Sequence, residues 1–252
     1  MFSLRAVPLS LKSHDMKTTL HKSQTRGYAD HGWLKSHHTF SFANYYNPER
    51  MNFGVLRVLN DDTVASGMGF GTHPHRDMEI ISIPLEGDME HKDSLGTSAV
   101  IRKGEIQVMS AGTGVMHSEY NKNKDEQVKF LQIWIVPNKK NVTPRYDQID
   151  IEKEKKINDF QQILSPNPED EGVWIHQDAW FHMARFEKEF SKTYSLKKNG
   201  NGVYVFVLSG RVRIGDIELS ARDGLGIEEV NGFTLEALEK SEILLMEVPM
   251  DL

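Results

Sequence analysis

The sequence predicts an all-β protein built from two tandem β-barrels with short helices. Short β-rich segments separated by turn residues run through the chain, among them FGVLRVL at 53–59, EIISIPL at 79–85 and VKFLQIWIV at 128–136. Strands of this length, divided by glycine, asparagine and aspartate, are typical of antiparallel sandwiches and barrels. A chain of 252 residues is long for one ordinary domain, which favours two.

An internal repeat is the second argument for two barrels. SIPLEGDMEH around Gly87 resembles VFVLSGRVRI around Gly210, and IRKGEIQVM around Gly104 resembles SARDGLGI around Gly224. The two pairs have nearly the same separation along the chain. Such self-similarity indicates one β unit present in two copies.

Changes in composition divide the chain into four parts. The segment after residue 138 is strongly charged and contains prolines, which is typical of a linker, and KKINDFQQIL within it is predicted to form a short helix at 155–164. The predicted parts are an N-terminal extension at 1–18, a first barrel at 19–138, a charged linker at 139–171 and a second barrel at 172–252.

Composition excludes several classes of function. The chain has 30 Lys and Arg against 36 Asp and Glu, a net charge of −6 without a long run of one sign, which argues against direct binding of nucleic acid. It has no cysteine, so a metal must be held by nitrogen and oxygen atoms. The longest apolar run, FLQIWIV at 130–136, is too short to cross a bilayer. We therefore expect a cytoplasmic monomer with no membrane contact.

Two motifs predict a metal site in the first barrel. In GTHPHRDMEI, His73 and His75 flank a proline, and Glu79 follows four residues after His75. In GEIQVMSAGTGVMHSEYN, His117 is followed two residues later by Glu119. Residues two apart on a strand project from the same face, so each motif supplies a pair of side chains that can converge on one ion. The alternation alone leaves Glu79 and Glu119 both open as the carboxylate ligand.

The second barrel lacks these groups. Applying the repeat to the first motif leads from His73 and His75 to Leu196 and Lys198, which do not form a matching pair of ligands. We therefore expect a metal only in the first barrel.

The two motifs resemble the paired motifs of the cupin superfamily. HGWLKSHHTFSF at 31–42, GTHPHRDMEI, GTGVMHSEY and LQIWI occur in the same order as in the pirin family of two-cupin proteins, and the resemblance spans roughly residues 20–252. It implies two cupin barrels and, as metal ligands, His73, His75, His117 and Glu119. Most cupins use the carboxylate at the position of Glu79, whereas pirins use that at Glu119, so Glu79 is the alternative.

Three neutral imidazoles and one carboxylate leave a charge of about +1 on a divalent ion and two open octahedral positions. This donor set suits iron(II), which the resemblance also implies, with manganese, nickel, cobalt or copper as alternatives. The resemblance further implies quercetin 2,3-dioxygenase activity, in which O₂ cleaves a flavonol with release of carbon monoxide. Glu119 would then be both ligand and catalytic base.

Two other functions are kept as alternatives. Pirins are also known as iron-containing accessory proteins that bind a transcription factor or a metabolic enzyme, with the iron as a redox-dependent switch. A cupin could also act on another small aromatic or enediol compound. Gln132 and Trp134 are expected to line a pocket or to fill the core, His37 and His38 to make hydrogen bonds, and His91 to be an ordinary surface or core histidine.

Overall fold

The fold comes from a computed structural model that describes residues 16–252, so residues 1–15 of the predicted extension lie outside the described residues. The described chain contains 22 strands, and its only helical segment is a 3-10 turn at Ser23–Thr25. Within the same residues, no helix is long and apolar enough to span a membrane. The all-β prediction is confirmed.

The strands of the first part of the chain are β1 (Lys17–His21), β2 (Gly27–Asp30), β3 (Leu34–His38), β4 (Leu56–Val64), β5 (Gly69–His75), β6 (Glu79–Glu86), β7 (Met89–Asp93), β8 (Ser98–Ile101), β9 (Glu105–Ser110), β10 (Val115–Asn121), β11 (Val128–Ile135) and β12 (Arg145–Asp150). The remaining strands are β13 (Phe160–Ser165), β14 (Val173–Trp174), β15 (Trp180–Phe186), β16 (Ser191–Ser195), β17 (Asn201–Ser209), β18 (Arg211–Ile214), β19 (Ile217–Ser220), β20 (Gly224–Glu228), β21 (Gly232–Ala237) and β22 (Ser241–Pro249).

These strands form two units of the same architecture. The first unit has a seven-stranded sheet in the order β12-β9-β6-β11-β4-β3-β2 and a four-stranded sheet in the order β5-β10-β7-β8. The second unit has a seven-stranded sheet in the order β1-β20-β17-β22-β15-β13-β14 and a four-stranded sheet in the order β16-β21-β18-β19. The two orders correspond strand by strand, which confirms the duplicated barrel.

The repeated glycines mark equivalent turns. Gly87 connects β6 to β7 with a φ of 73°, and Gly210 connects β17 to β18 with a φ of 81°. Glycine adopts positive φ without the steric cost that a Cβ brings. The repeat seen in the sequence is therefore a repeated hairpin.

The segment predicted to be a linker contains two strands. Arg145–Asp150 pairs with β9 at the edge of the first large sheet, and Phe160–Ser165 pairs with β15 in the second. The helix predicted at 155–164 is wrong, because Phe160–Ser165 is extended and buries Gln161 and Ile163 against its neighbours. Strand β1 begins at Lys17, inside the predicted extension, and pairs with β20 of the second unit.

The distribution of apolar side chains explains where a site can form. One large cluster joins the two seven-stranded sheets and includes Leu131 of the first unit and Tyr204 of the second. A second cluster fills the interior of the second barrel. Among residues 16–252, the first barrel has two smaller clusters, one around Phe130 and one around Ile80. The interior of the first barrel is therefore where polar side chains replace the apolar filling.

Candidate metal centre

Strands β5 and β10 bring the two histidine motifs together. They are antiparallel neighbours in the small sheet of the first barrel, and His117 lies opposite His73 in the register. The ligand-capable nitrogens of His73, His75 and His117 all lie within 4.8 Å of one another. The three predicted histidines therefore meet at one point, although they come from two distant parts of the sequence.

The ring nitrogens of His73 and His117 are placed to bind one metal ion. Nδ1 of His73 lies 2.7 Å from the Gly71 carbonyl oxygen and donates its proton to it, which leaves Nε2 as the lone-pair nitrogen. The Nε2 atoms of His73 and His117 are 3.0 Å apart. Two nitrogens bound at right angles to one ion at about 2.1 Å would also lie about 3.0 Å apart. The spacing fits adjacent ligands of a single metal ion.

The charge state of the histidines also suits a metal. Burial, followed by the neighbouring imidazoles, lowers the pKa of His75 to about 4 and that of His117 to about 3. Both rings are therefore neutral near pH 7, which is the form that binds a metal. The residues present fit a divalent cation.

Glu119 lies on the same strand as His117 but in a second group. Its carboxylate accepts a hydrogen bond from Nε2 of Gln132 at 2.9 Å, and Oγ of Ser82 lies 3.3 Å from its other oxygen. Its oxygens group within 4.8 Å with His117 and His91. The group formed by His73, His75 and His117 does not include Glu119. A carboxylate has about four lone-pair sites, so these two contacts leave room for a cation.

His91 is a buried residue of this site that the sequence interpretation missed. Its Nε2 lies 3.0 Å from Oδ2 of Asp93, and its ring centroid is 5.3 Å from that of His117. In the register of β7 against β10, His91 lies opposite Glu119. The alternation of His91 and Asp93 directly after the Gly87 turn was the available signal, but the β7–β10 pairing that gives it meaning is not visible in the sequence.

Glu79 belongs to neither group of possible ligands. Its side chain is buried and accepts a hydrogen bond from Oγ of Ser110 at 2.7 Å. On β6, Glu79 lies on the opposite face from Ile80, which faces the interior of the first barrel. It lies on the same face as Ile81, which packs in the cluster between the two barrels. The side chain of Glu79 therefore points away from the histidines, which favours Glu119 over Glu79 as the carboxylate ligand.

A cavity of about 520 Å³ opens beside the histidines. Glu119, Gln132 and Trp134 line it, so the last two residues form part of a pocket. Its remaining lining is mixed, with aromatic side chains such as Phe42 and Phe70. The other lining residues are Tyr28, Ala29, His31, Leu34, Ser36, His38, Ala43, Asn44, Tyr45, Asn60, Asp62, His73 and His75. A volume of this size is typical of sites for small organic molecules.

Comparison with known proteins identifies the family. Residues 19–135 match the family model described as pirin, and residues 162–248 match the model described as the quercetinase C-terminal cupin domain. The chain is also 43% identical over 230 residues to the protein named quercetin 2,3-dioxygenase of Escherichia coli K12, a match that covers 91% of this chain and 98% of the relative. This chain is a member of the pirin family.

Further relatives agree with this assignment. A putative quercetin 2,3-dioxygenase of Pseudomonas aeruginosa is 42% identical to this pirin over 223 residues, which is 88% of this chain and 95% of the relative. The crystal structure of the bacterial pirin YhhW of Escherichia coli in complex with nickel(II) superposes with a TM-score of 0.88 at 42% identity, covering 92% of this chain and 99% of that one. The predicted two-cupin architecture is confirmed.

Proposed function

We propose that this pirin is a metal-dependent dioxygenase that cleaves a flavonol such as quercetin with O₂. Its single metal ion would be held by His73, His75, His117 and Glu119. The observation that carries the proposal is the convergence of the imidazole rings of His73, His75 and His117 beside a cavity that Glu119 also lines. The relatives named quercetin 2,3-dioxygenase support the substrate class.

Iron(II) is the proposed metal, since a set of three nitrogens and one oxygen leaves two octahedral positions open for exchangeable ligands. The nickel(II) complex of a 42% identical pirin supports a site that accepts divalent transition metals. Manganese, cobalt, nickel and copper are the alternatives. When bound, the ion supplies Lewis acidity, which lowers the pKa of the flavonol 3-hydroxyl group.

Glu119 is the proposed acceptor of the proton from that hydroxyl group. Its carboxylate lies on the cavity wall, and Gln132 Nε2 donates to one of its oxygens at 2.9 Å. A general base must lie within hydrogen-bond reach of the proton that it removes, and the bond from Gln132 fixes the carboxylate in position. Gln132 is thus a positioning residue for Glu119.

Aromatic side chains suit the cavity to a planar substrate. The ring of Trp134 is 5.0 Å from that of His75 and 5.5 Å from that of Phe42, both edge to face. Such walls exclude water from the reacting atoms and pack against the faces of an aromatic ring. A cavity of this size favours an enzyme over the accessory-protein alternative, because it suits a small substrate, whereas a protein partner would need an exposed surface.

The test is turnover by metal-loaded protein. The chain loaded anaerobically with iron(II), and in parallel with the four alternative metals, is mixed with quercetin and air-saturated buffer. We expect one carbon monoxide released for each O₂ consumed with at least one metal, and neither gas exchanged by metal-free protein. Failure of every metal to give turnover would refute the flavonol reaction.

A further inference from the structure

A row of polar side chains crosses the inner face of the large sheet in the first barrel. Cross-strand pairing places its members side by side on five adjacent strands, β9, β6, β11, β4 and β3. The members are Gln107, Ser82, Gln132, Asn60 and His38, and all are buried. Buried polar groups are costly unless they are hydrogen-bonded, so each partner must be accounted for.

In the middle of the row, Ser82 and Gln132 have hydrogen-bond partners, and their chain of bonds ends at Glu119 of the metal centre. Ser82 Oγ donates to Gln132 Oε1 at 2.9 Å, and Gln132 in turn donates to Glu119. At one end, both side-chain amide atoms of Gln107 also lack a partner among the described residues, but Gln107 does not line the cavity. The outer end, formed by Asn60 and His38, does line it. Oδ1 of Asn60 and Nδ1 of His38 are buried and have no hydrogen-bond partner among the described residues. Asn60 is 2% exposed and His38 3% exposed, and both line the cavity.

The geometry of the sheet gives the position of this outer end. Neighbouring strands are about 4.8 Å apart, so His38, two strands from Gln132, lies about 10 Å beyond it along the row. A ligand held at the histidines of β5 and β10 would therefore have to extend across the cavity to reach Asn60 and His38. An elongated planar molecule with polar groups at its far end fits this distance.

The charges nearby define which polar groups fit. Asp62 lines the cavity beside this end and accepts a short hydrogen bond from Ser36 Oγ, and Glu119 lies on the same cavity wall. Burial raises the pKa of Asp62 to about 7, so near neutral pH its carboxyl group is partly protonated and does not by itself call for a charged ligand. Oδ1 of Asn60 is an acceptor, so it needs a donor group on the ligand. Burial lowers the pKa of His38 to about 4, which leaves its ring neutral and able to accept or donate a hydrogen bond. Neutral hydroxyl groups satisfy both residues.

We propose that Asn60 and His38 bind the hydroxyl groups on the pendant aryl ring of the substrate, and so select flavonols that are hydroxylated on that ring. The inference rests on the proposed function for the identity of the ring system. The two residues face each other across adjacent strands, which matches two neighbouring hydroxyl groups. On the fused ring of quercetin, the hydroxyl group next to the carbonyl already donates a hydrogen bond to that carbonyl. The fused ring therefore suits Asn60 and His38 less well than the pendant ring does.

Anaerobic titration calorimetry on metal-loaded protein tests this directly, because binding is read without turnover. The ligands are quercetin and galangin, which differ only in the hydroxyl groups of the pendant ring. Loss of one hydrogen bond of about 1 kcal/mol changes an affinity by roughly fivefold. We expect Asn60→Leu to weaken quercetin binding by about five- to tenfold and to leave galangin unchanged.

Two further variants complete the design. Phe70→Leu, an apolar change in the same cavity, should affect both flavonols alike. If Asn60→Leu does not fold, His38→Phe carries the same comparison. Equal weakening of both ligands, no change in either, or no binding of either flavonol overturns the inference. Selective weakening without O₂ uptake would support it while refuting the proposed reaction, so the two failures are distinguishable.

Discussion

At the scale of single residues, the decisive difference is between two glutamates that the sequence treats alike. Glu119 groups with His117 and lines the cavity, whereas Glu79 is bound by Ser110 and shares its face of β6 with Ile81, which packs in the cluster between the barrels. The alternation of side chains does not carry from His75 to Glu79, because Asp77 between them has a φ of 46° and turns the chain. The histidine spacing was predictable from the sequence, but the direction of the chain after this turn was not.

Substituting each glutamate separates their roles. We expect Glu119→Gln to lower metal affinity by more than the roughly 10–100-fold that is typical when only a partner of a ligand is lost. Glu79→Gln, the matched control, should retain one metal ion per chain. Metal content after dialysis against a graded chelator measures both. Full metal retention by Glu119→Gln would remove Glu119 from the proposed ligand set.

Glu79 also predicts a dependence of stability on pH. Burial raises the pKa of Glu79 from 4.5 to about 7, and the side chain is 1% exposed. The folded state therefore holds a proton that the unfolded state has lost, and stability falls as pH rises from about 4.5 to about 7. Glu79→Gln removes this loss, so its stability relative to the parent chain should be about 2 kcal/mol greater at pH 8 than at pH 5. Urea unfolding at both pH values measures the difference, and an equal offset at the two would contradict it.

At the scale of elements, edge strands are what sequence patterns predicted least well. β12 comes from the segment predicted to be a linker, and β1 begins in the predicted extension, yet the two occupy equivalent edges of the two large sheets. The sequences of β1 and β12 are polar because an edge strand is partly exposed to water. Accordingly, β12 has no fully buried residue. Central strands such as β11 are nearly all buried and were recognised as continuous apolar runs.

The attachment of β1 gives a prediction at this scale. His21, its last residue, accepts a hydrogen bond from the buried Tyr204 hydroxyl group at 2.8 Å, and burial lowers the pKa of His21 to about 4, so its ring is neutral. His21→Ala leaves that hydroxyl group buried without a partner and should cost about 1–3 kcal/mol. Tyr204→Phe in the same chain should recover part of the loss. Additive effects in urea unfolding would show that the two groups do not interact.

At the scale of the whole molecule, the two barrels share a core. Side chains from both large sheets, including Ile81 and Leu131 from the first and Phe206 and Met246 from the second, form one apolar cluster. The duplication itself was predictable from the repeated glycines. This shared cluster was not, because strands in the middle of a sheet buried on both faces give no pattern that shows which face meets the partner barrel.

The shared core predicts that the barrels unfold together. Leu245 lies inside the second barrel only, so Leu245→Ala should lower the stability of that barrel by about 2–5 kcal/mol. If unfolding is cooperative, the same variant lowers the urea midpoint of metal release from the first barrel by as much as it lowers the urea midpoint of the circular dichroism signal. Metal release and far-UV circular dichroism followed in one titration test this. A metal-release midpoint unchanged from that of the parent chain would mean independent barrels.

The central claim is that the histidine cluster and the aromatic cavity form one site. Anaerobic titration of quercetin into the metal-loaded protein tests it most directly, with the flavonol absorption band as readout, because ionisation of the 3-hydroxyl group moves that band to longer wavelength. We predict a shift that saturates at one flavonol per chain, requires the metal and is lost in Glu119→Gln. An identical shift in metal-free protein, or none in the loaded protein, would contradict the account.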